Sequence, residues 1–172
     1  MAKENFAACL AQVLLSEGGW SDHPADPGGA TMKGITLATY RKYRPGATKA
    51  DLRAITDAEV ARIYRNGYWN AVRGDELPAG LDLVAFDAAV NSGVKRASKW
   101  LQSAVGAGAD GMIGAKTLMA AQTANVPVAI ARALQARKSF LISLSTWKTF
   151  GRGWSARLNR VEASALAMAK GA

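Results

Sequence analysis

The sequence predicts an all-α protein with no more than a very small β-hairpin. Three observations carry this. Apolar residues recur at three- and four-residue steps along most of the 172 positions, and no segment sustains two-residue alternation beyond a few positions. Glycine, proline and aspartate, which break helices, are concentrated in the stretch between Trp20 and Thr36.

The elements follow in order. Apolar positions over residues 5 to 15 have helical spacing, and Gly18-Gly19 supplies a stop, so the first helix is expected to close at Glu17. SDHPADPGGATMKGIT then reads as an irregular loop or small hairpin of the length active-site loops tend to have. Short helices are expected at Leu37 to Tyr43, ended by Pro45-Gly46, and around Lys49 to Ala54. Thr56 and Glu59 have capping-box spacing and open a helix to about Trp69. After a connection from Gly74 to Gly80, LDLVAFDAAVNS predicts a buried helix from Leu81 to Ser92, which Gly93 breaks. Lys95 to Val105 is the next helix, and GAGADGMIG a turn leading into another at Ala115 to Ala124. Pro127 suits the first turn of a long helix to about Leu144, where its missing N–H would be unpaired anyway. A last amphipathic helix is expected from Trp154 to Ala169.

With 49% apolar residues, a chain of this length buries one good core, with at most a small satellite. A single compact unit is expected. Cys9 is the only cysteine, so no intramolecular disulfide forms, and His23 is the only histidine, so neither a metal cluster nor a Cys/His pair has its partners. No metal or cofactor is expected. The apolar run from Phe6 to Leu15 is too short to span a bilayer and lacks a charged leader, which predicts neither a signal peptide nor an anchor. The 22 basic and 13 acidic residues give a net charge of +9, which favours a polyanionic partner such as nucleic acid, anionic lipid or bacterial cell wall. The charges are scattered, and no phosphate-binding loop, helix-turn-helix or RNA-binding motif accompanies them.

Most of the 13 carboxylates have an evident structural use. Asp51, Asp57 and Glu59 sit in helix first turns; Asp110 precedes a turn glycine; Asp75 and Glu76 lie in a connection; Glu4 and Glu162 are solvated helix-face charges. Glu17, Asp22, Asp26, Asp82 and Asp87 remain. Glu17 follows an apolar run, ends a helix and precedes two glycines that let a ligand approach the backbone. The negative end of the helix dipole and apolar neighbours are both expected to raise its pKa, as a general acid near neutral pH requires. Position alone equally allows a surface glutamate beside a helix stop. Across a scissile glycosidic bond, a second carboxylate or a water-holding group is needed. Asp26, Asp22 and the hydroxyl of Thr31 compete for that role, although aspartates before prolines or glycines are also ordinary turn formers.

The segment SEGGWSDHPADPGGATMKGIT (16 to 36) resembles the opening motif of the family 108 glycoside hydrolases, N-acetylmuramidases common among phage endolysins, in which the glutamate of EGG is catalytic. That role falls on Glu17. The similarity continues through YRNGYWNAV (64 to 72), then FDAAVNSGVKRASKWLQSAVG and DGMIGAKTL, which resemble the peptidoglycan-binding region that usually follows, and GRGWSARLNR, similar to that region's close. The resemblance implies a lysozyme-like helical fold, with a catalytic region over 1 to 80 and a helical peptidoglycan-binding region over 81 to 172 packed against it. A looser similarity extends to phage lysozymes, which carry a Glu, eight residues, an Asp, five residues and a Thr. Glu17 and Asp26 keep the first gap, whereas Thr31 comes one residue early, so the second group stays open among Asp26, Asp22 and a water held by Thr31.

The implied activity is hydrolysis of the β-1,4 bond between N-acetylmuramic acid and N-acetylglucosamine, with Glu17 donating the proton. Trp20, Tyr64, Tyr68 and Trp69, with flat apolar rings, are candidates to line the sugar cleft together with Asp22, though helical spacing of aromatics also means core packing. Asn91 is a candidate to hydrogen-bond the N-acetyl group. The expected partner is peptidoglycan, with no nucleic acid and no stable membrane insertion. A monomer made in the bacterial cytoplasm would reach the wall through export or a holin-like helper that permeabilises the membrane. A non-catalytic wall-binding protein of the same fold and a lytic transglycosylase are the alternatives.

Overall fold

In the computed structural model, which describes residues 5–23 and 28–172, nine α-helices and one two-stranded antiparallel sheet are formed. The order is α1 (Asn5–Leu14), β1 (Thr31–Met32), β2 (Ile35–Thr36), α2 (Leu37–Tyr43), α3 (Lys49–Arg53), α4 (Asp57–Tyr64), α5 (Leu81–Ser92), α6 (Val94–Ala104), α7 (Ala115–Thr123), α8 (Val126–Ser143) and α9 (Trp147–Lys170). The expected class holds, and the sheet is confined to the loop after the first helix.

α5 is the centre of the molecule. Every residue from Leu81 to Ala89 is buried, so the helix has no solvent face and must be covered all round. α1, α6, α8 and α9 all pack on it. One continuous core runs from Phe6 and Val13 of α1 through Trp69 and Phe86 to Ile130 of α8 and Val161 of α9. Trp69 and Phe86 meet edge to face at 5.3 Å, and Phe6 closes the cluster at 5.3 Å from Trp69. Cys9 lies within this core, where burial pushes its thiol pKa far above the ordinary range. Asp82, also buried, accepts hydrogen bonds from the backbone N–H groups of Gly80 and Leu83 and from Asn5, tying the start of α5 to α1.

Local signals set the smaller elements. Lys33 and Gly34, both at positive φ, form the two-residue loop that joins β1 to β2, with Thr31 opposite Thr36 and Met32 opposite Ile35. Thr48 with Asp51 and Thr56 with Glu59 form complete capping boxes at α3 and α4. Glu59 accepts from the backbone N–H and hydroxyl of Thr56 at 2.9 and 2.8 Å, and its other oxygen accepts from the buried Tyr40 hydroxyl at 2.8 Å. Those bonds to Thr56 and Tyr40 hold its pKa below the ordinary value of 4.5. A depressed carboxyl pKa stabilises the fold above the unfolded value and loses that effect as pH falls through the folded one. Glu59→Ala is therefore expected to cost about 1–2 kcal/mol in urea unfolding at neutral pH. The gap between variant and wild type should narrow below pH 4.5; a gap independent of pH would be the contrary result.

Three boundaries differ from the sequence expectation. α1 ends at Leu14, three residues before Glu17, and finishes in a tighter turn in which the N–H groups of Ser16 and Glu17 donate to Val13 and Leu14. α4 passes into a π-helical turn over Arg65–Trp69 in place of continuing as regular helix. α9 begins at Trp147, well before Trp154. Gly151 and Gly153 argue against a helix locally, but the ring of Trp147 lies over Gly151 so closely that a Cβ there would come within 2.7 Å of it. Tertiary packing outweighs the intrinsic cost of the glycines. A helical body with a small hairpin set beside the end of its first helix is a lysozyme-like fold.

Candidate functional site

Glu17 lies where three parts of the chain meet: the end of α1, the β1–β2 hairpin and α9. Its side chain is 19% exposed. On the hairpin side it lies against Gly34. A Cβ at that position would come within 2.8 Å of Glu17 Oε2 and 2.5 Å of the Tyr64 hydroxyl oxygen. Gly34 is thus required twice, by its φ of +77° and by the carboxylate packed against it. Tyr64 donates its hydroxyl proton to the carbonyl of Lys33 at 2.8 Å and so fixes the hairpin over Glu17.

On the other side, Arg157 of α9 donates from Nη1 to Glu17 Oε1 at 3.1 Å. The same guanidinium holds Asp87 of α5, with Nη2 2.9 Å from Oδ1 and Nε within 3.0 Å of the same oxygen. Asp87 also accepts from Arg137 of α8 at 2.6 Å, and Arg137 Nη2 donates to the Asn91 side-chain oxygen at 2.9 Å. Glu17, Arg157, Asp87, Arg137 and Asn91 form one charged chain through the centre of the fold. Asp87 is wholly buried and Arg137 nearly so. Burial pulls the pKa of both arginines down. At Arg157 the carboxylates of Asp87 and Glu17 outweigh it and the net shift is upward, whereas at Arg137, which Arg157 also repels, the net shift is downward.

The two tyrosines expected near the site do lie beside Glu17. Burial first, and then the Glu17 carboxylate, raise the phenol pKa of Tyr64 and of Tyr68, so both stay protonated donors. Their rings are 5.7 Å apart. Tyr68 is half-buried, whereas Tyr64 is almost fully buried and supports the hairpin in place of facing a cleft. Trp69 is corrected outright. It is fully buried, its Nε1 donates to Asp75 at 3.0 Å, and Gly74 packs against its ring, so it is a core residue with no face for a sugar. Tyr64 and Tyr68, four residues apart, share one face of this segment, and Trp69, one residue on, points away from them into the core.

The other expected residues fall around this point. Trp20 is half-buried, with the Arg53 guanidinium 5.5 Å from its ring centroid. Asp22 pairs with Lys49 at 3.0 Å. Thr31 lies in β1, and its hydroxyl donates to the carbonyl of Gly29. Asp26 lies outside the described residues. At Gly18 and Gly19 an added Cβ would meet nothing within 4 Å, so no described residue demands glycine there. Among the described residues no group of three His, Cys, Asp or Glu side chains is placed to hold a metal ion, and no helix is long and apolar enough to cross a membrane.

A groove of about 610 Å³ opens beside Glu17. Leu15, Ser16 and Glu17 form one side, Val90 and Asn91 the floor, and Phe150, Gly153, Trp154, Arg157 and Arg160 of α9 the other side. Asn91 is the one residue of this groove, beyond Glu17, that sequence reasoning had put forward. Arg157, Arg160 and the aromatic pair were not anticipated as site residues. The signal available for the network was Asp87, a charge inside an otherwise apolar helix, which requires a buried partner without saying which.

Fold and cleft together define a lysozyme-like protein with a half-buried glutamate at the seam between hairpin and helical body. Comparison with known proteins makes this more specific. The sequence profile described as Glycosyl hydrolase 108 matches residues 10–93, a span that holds Glu17, the hairpin and all of α2 to α5. Among solved structures, that of Brucella abortus SagA is similar over 98% of this chain and 97% of its own, at 46% sequence identity and a TM-score of 0.86. No curated protein sequence matches the chain. The chain belongs to the glycosyl hydrolase 108 family and is a glycosidase.

Proposed function

We propose that the chain is an N-acetylmuramidase: it hydrolyses the β-1,4 bond between N-acetylmuramic acid and N-acetylglucosamine in peptidoglycan, with Glu17 as general acid. The observation that carries this is the setting of Glu17, a carboxyl held from one side by Arg157 and framed on the other by Gly34, with a groove open beside it. Before substrate binds, Arg157 fixes the carboxylate in position. A glycan lying over Glu17 excludes water from the reacting atoms. The proton then passes to the leaving glycosidic oxygen as the oxocarbenium-like sugar forms.

The water that completes the reaction comes from the side of the 20–36 segment. Thr31, whose hydroxyl already donates to Gly29 and keeps lone pairs free for a water proton, is one candidate to hold it; Asp22, neutralised by Lys49, and Asp26 are the others. Trp20 and Tyr68, half-buried with their rings partly accessible, offer faces for the sugars.

The test is the chemistry of the ends released from purified peptidoglycan, read by mass spectrometry. Reducing muramic acid ends are expected. Anhydro-muramic ends would show a lytic transglycosylase, and binding to the wall without release of fragments would show a non-catalytic wall-binding protein.

A further inference from the structure

The groove between Glu17 and α9 carries an aromatic wall and, beside it, a cation that cleavage of a neutral sugar chain does not use. Phe150 is 52% exposed, a large apolar side chain left open at the groove edge. It stacks on Trp154 at 5.7 Å, and Trp154 on Trp147 at 6.1 Å, so the aromatic wall is braced from behind. Next to this wall stands Arg160. Its Nη2 donates to the hydroxyl of Ser16, its Nε is buried without a hydrogen-bond partner, and it makes no ion pair among the described residues. Arg157 is neutralised by Asp87 and Glu17; Arg160 is the cation of the groove that no carboxylate of the described protein offsets.

Gly153 sets the shape of the groove beside Arg160. It lies inside α9, where glycine destabilises a helix relative to alanine. For Gly151 the fold supplies the reason, the overlying ring of Trp147. Gly153 has none: an added Cβ would meet nothing within 4 Å, and the residue lines the groove. The missing side chain leaves the groove open along this side of α9.

We propose that this groove binds an acidic peptide, namely the peptide that peptidoglycan carries on its muramic acid residues, so that the chain cleaves peptide-bearing glycan in preference to bare glycan. The proposal rests on the peptidoglycan reading above. The N-acetylated sugar backbone has no carboxylates beyond the lactyl groups that anchor the peptides, whereas the peptides have both carboxylates, which suit Arg160, and methyl groups, which suit Phe150 and Trp154. Gly153 lets the peptide backbone run close against the helix.

Rates of glycan cleavage on intact peptidoglycan and on the same glycan after amidase removal of its peptides test this. The wild type is expected to favour the peptide-bearing polymer by about tenfold, the size of one charge-assisted hydrogen bond. In Arg160→Ala and in Gly153→Leu that ratio should fall toward one. Gly153→Leu should meanwhile unfold at an unchanged or higher temperature, which separates groove filling from damage to α9. Equal wild-type rates on both polymers overturn the proposal, as does an equal loss on both in the variants, which marks a sugar subsite. If the wild type cleaves neither polymer, the muramidase reading itself fails and the preference fails with it.

Discussion

Glu17→Gln is expected to abolish clearing of a peptidoglycan zymogram, with turnover lower by at least about 10²–10⁴-fold, the contribution typical of a positioned general acid. The substitution isolates the proton. Glutamine has the same length, its amide oxygen still accepts from Arg157 Nη1, and the space against Gly34 is filled as before. What it lacks is an ionisable oxygen that can carry a proton to a leaving group. Stability should change by no more than about 2 kcal/mol, since only one charge-assisted hydrogen bond is weakened and Arg157 keeps its Nε hydrogen bonds to Asp87. Unfolding midpoints measured on the same preparation separate loss of chemistry from loss of fold. A variant that clears as well as the wild type would remove Glu17 from the mechanism.

The largest stability effect is expected at a residue that need never touch substrate. Asp87→Asn should destabilise the protein by about 3–5 kcal/mol in urea unfolding. Asp87 is wholly buried and faces two arginines, Arg137 from α8 and Arg157 from α9, both themselves almost without solvent. Taking away its charge leaves two guanidinium groups in the interior with only Glu17, at the surface end of the network, to balance them. An uncompensated buried charge costs far more than the pair it came from contributes, because its hydration is lost and nothing replaces it. Replacing Asp87, Arg137 and Arg157 together by Leu, Met and Met should recover much of the loss, since no charge then remains inside. Full activity in that triple variant would show that Glu17 needs no arginine to hold it. A loss in Asp87→Asn of under about 1 kcal/mol, the level of a surface pair, would place the network at the solvent edge and contradict its burial.

Much of this protein is written locally. The capping boxes at Thr48 and Thr56 act over three residues, the Lys33-Gly34 hairpin over two, and the unbroken apolar run from Leu81 to Ala89 can only be a helix covered on every side. The candidate acid was legible for the same reason: Glu17 stands between an apolar helix and two glycines, all within a few positions. Where local signals misled, packing decided. The last helix is expected only from Trp154, yet the ring of Trp147 needs the space over Gly151 and α9 forms from Trp147 across both Gly151 and Gly153. Tyr64, Tyr68 and Trp69 read as one aromatic set, yet Trp69 is packed into the core against Phe6 and Phe86 while the tyrosines lie beside Glu17.

The sequence by itself determined the helical class, the small hairpin, and a glutamate between the first helix and two glycines. Only the tertiary structure decided what surrounds that glutamate. Arg157 is 140 positions from Glu17 and 70 from Asp87, and Arg137 is 50 from Asp87. No spacing rule reaches so far. These charges become partners because α8 and α9 both pack on α5, and a buried carboxylate there can be offset only by whatever cations that packing brings to it.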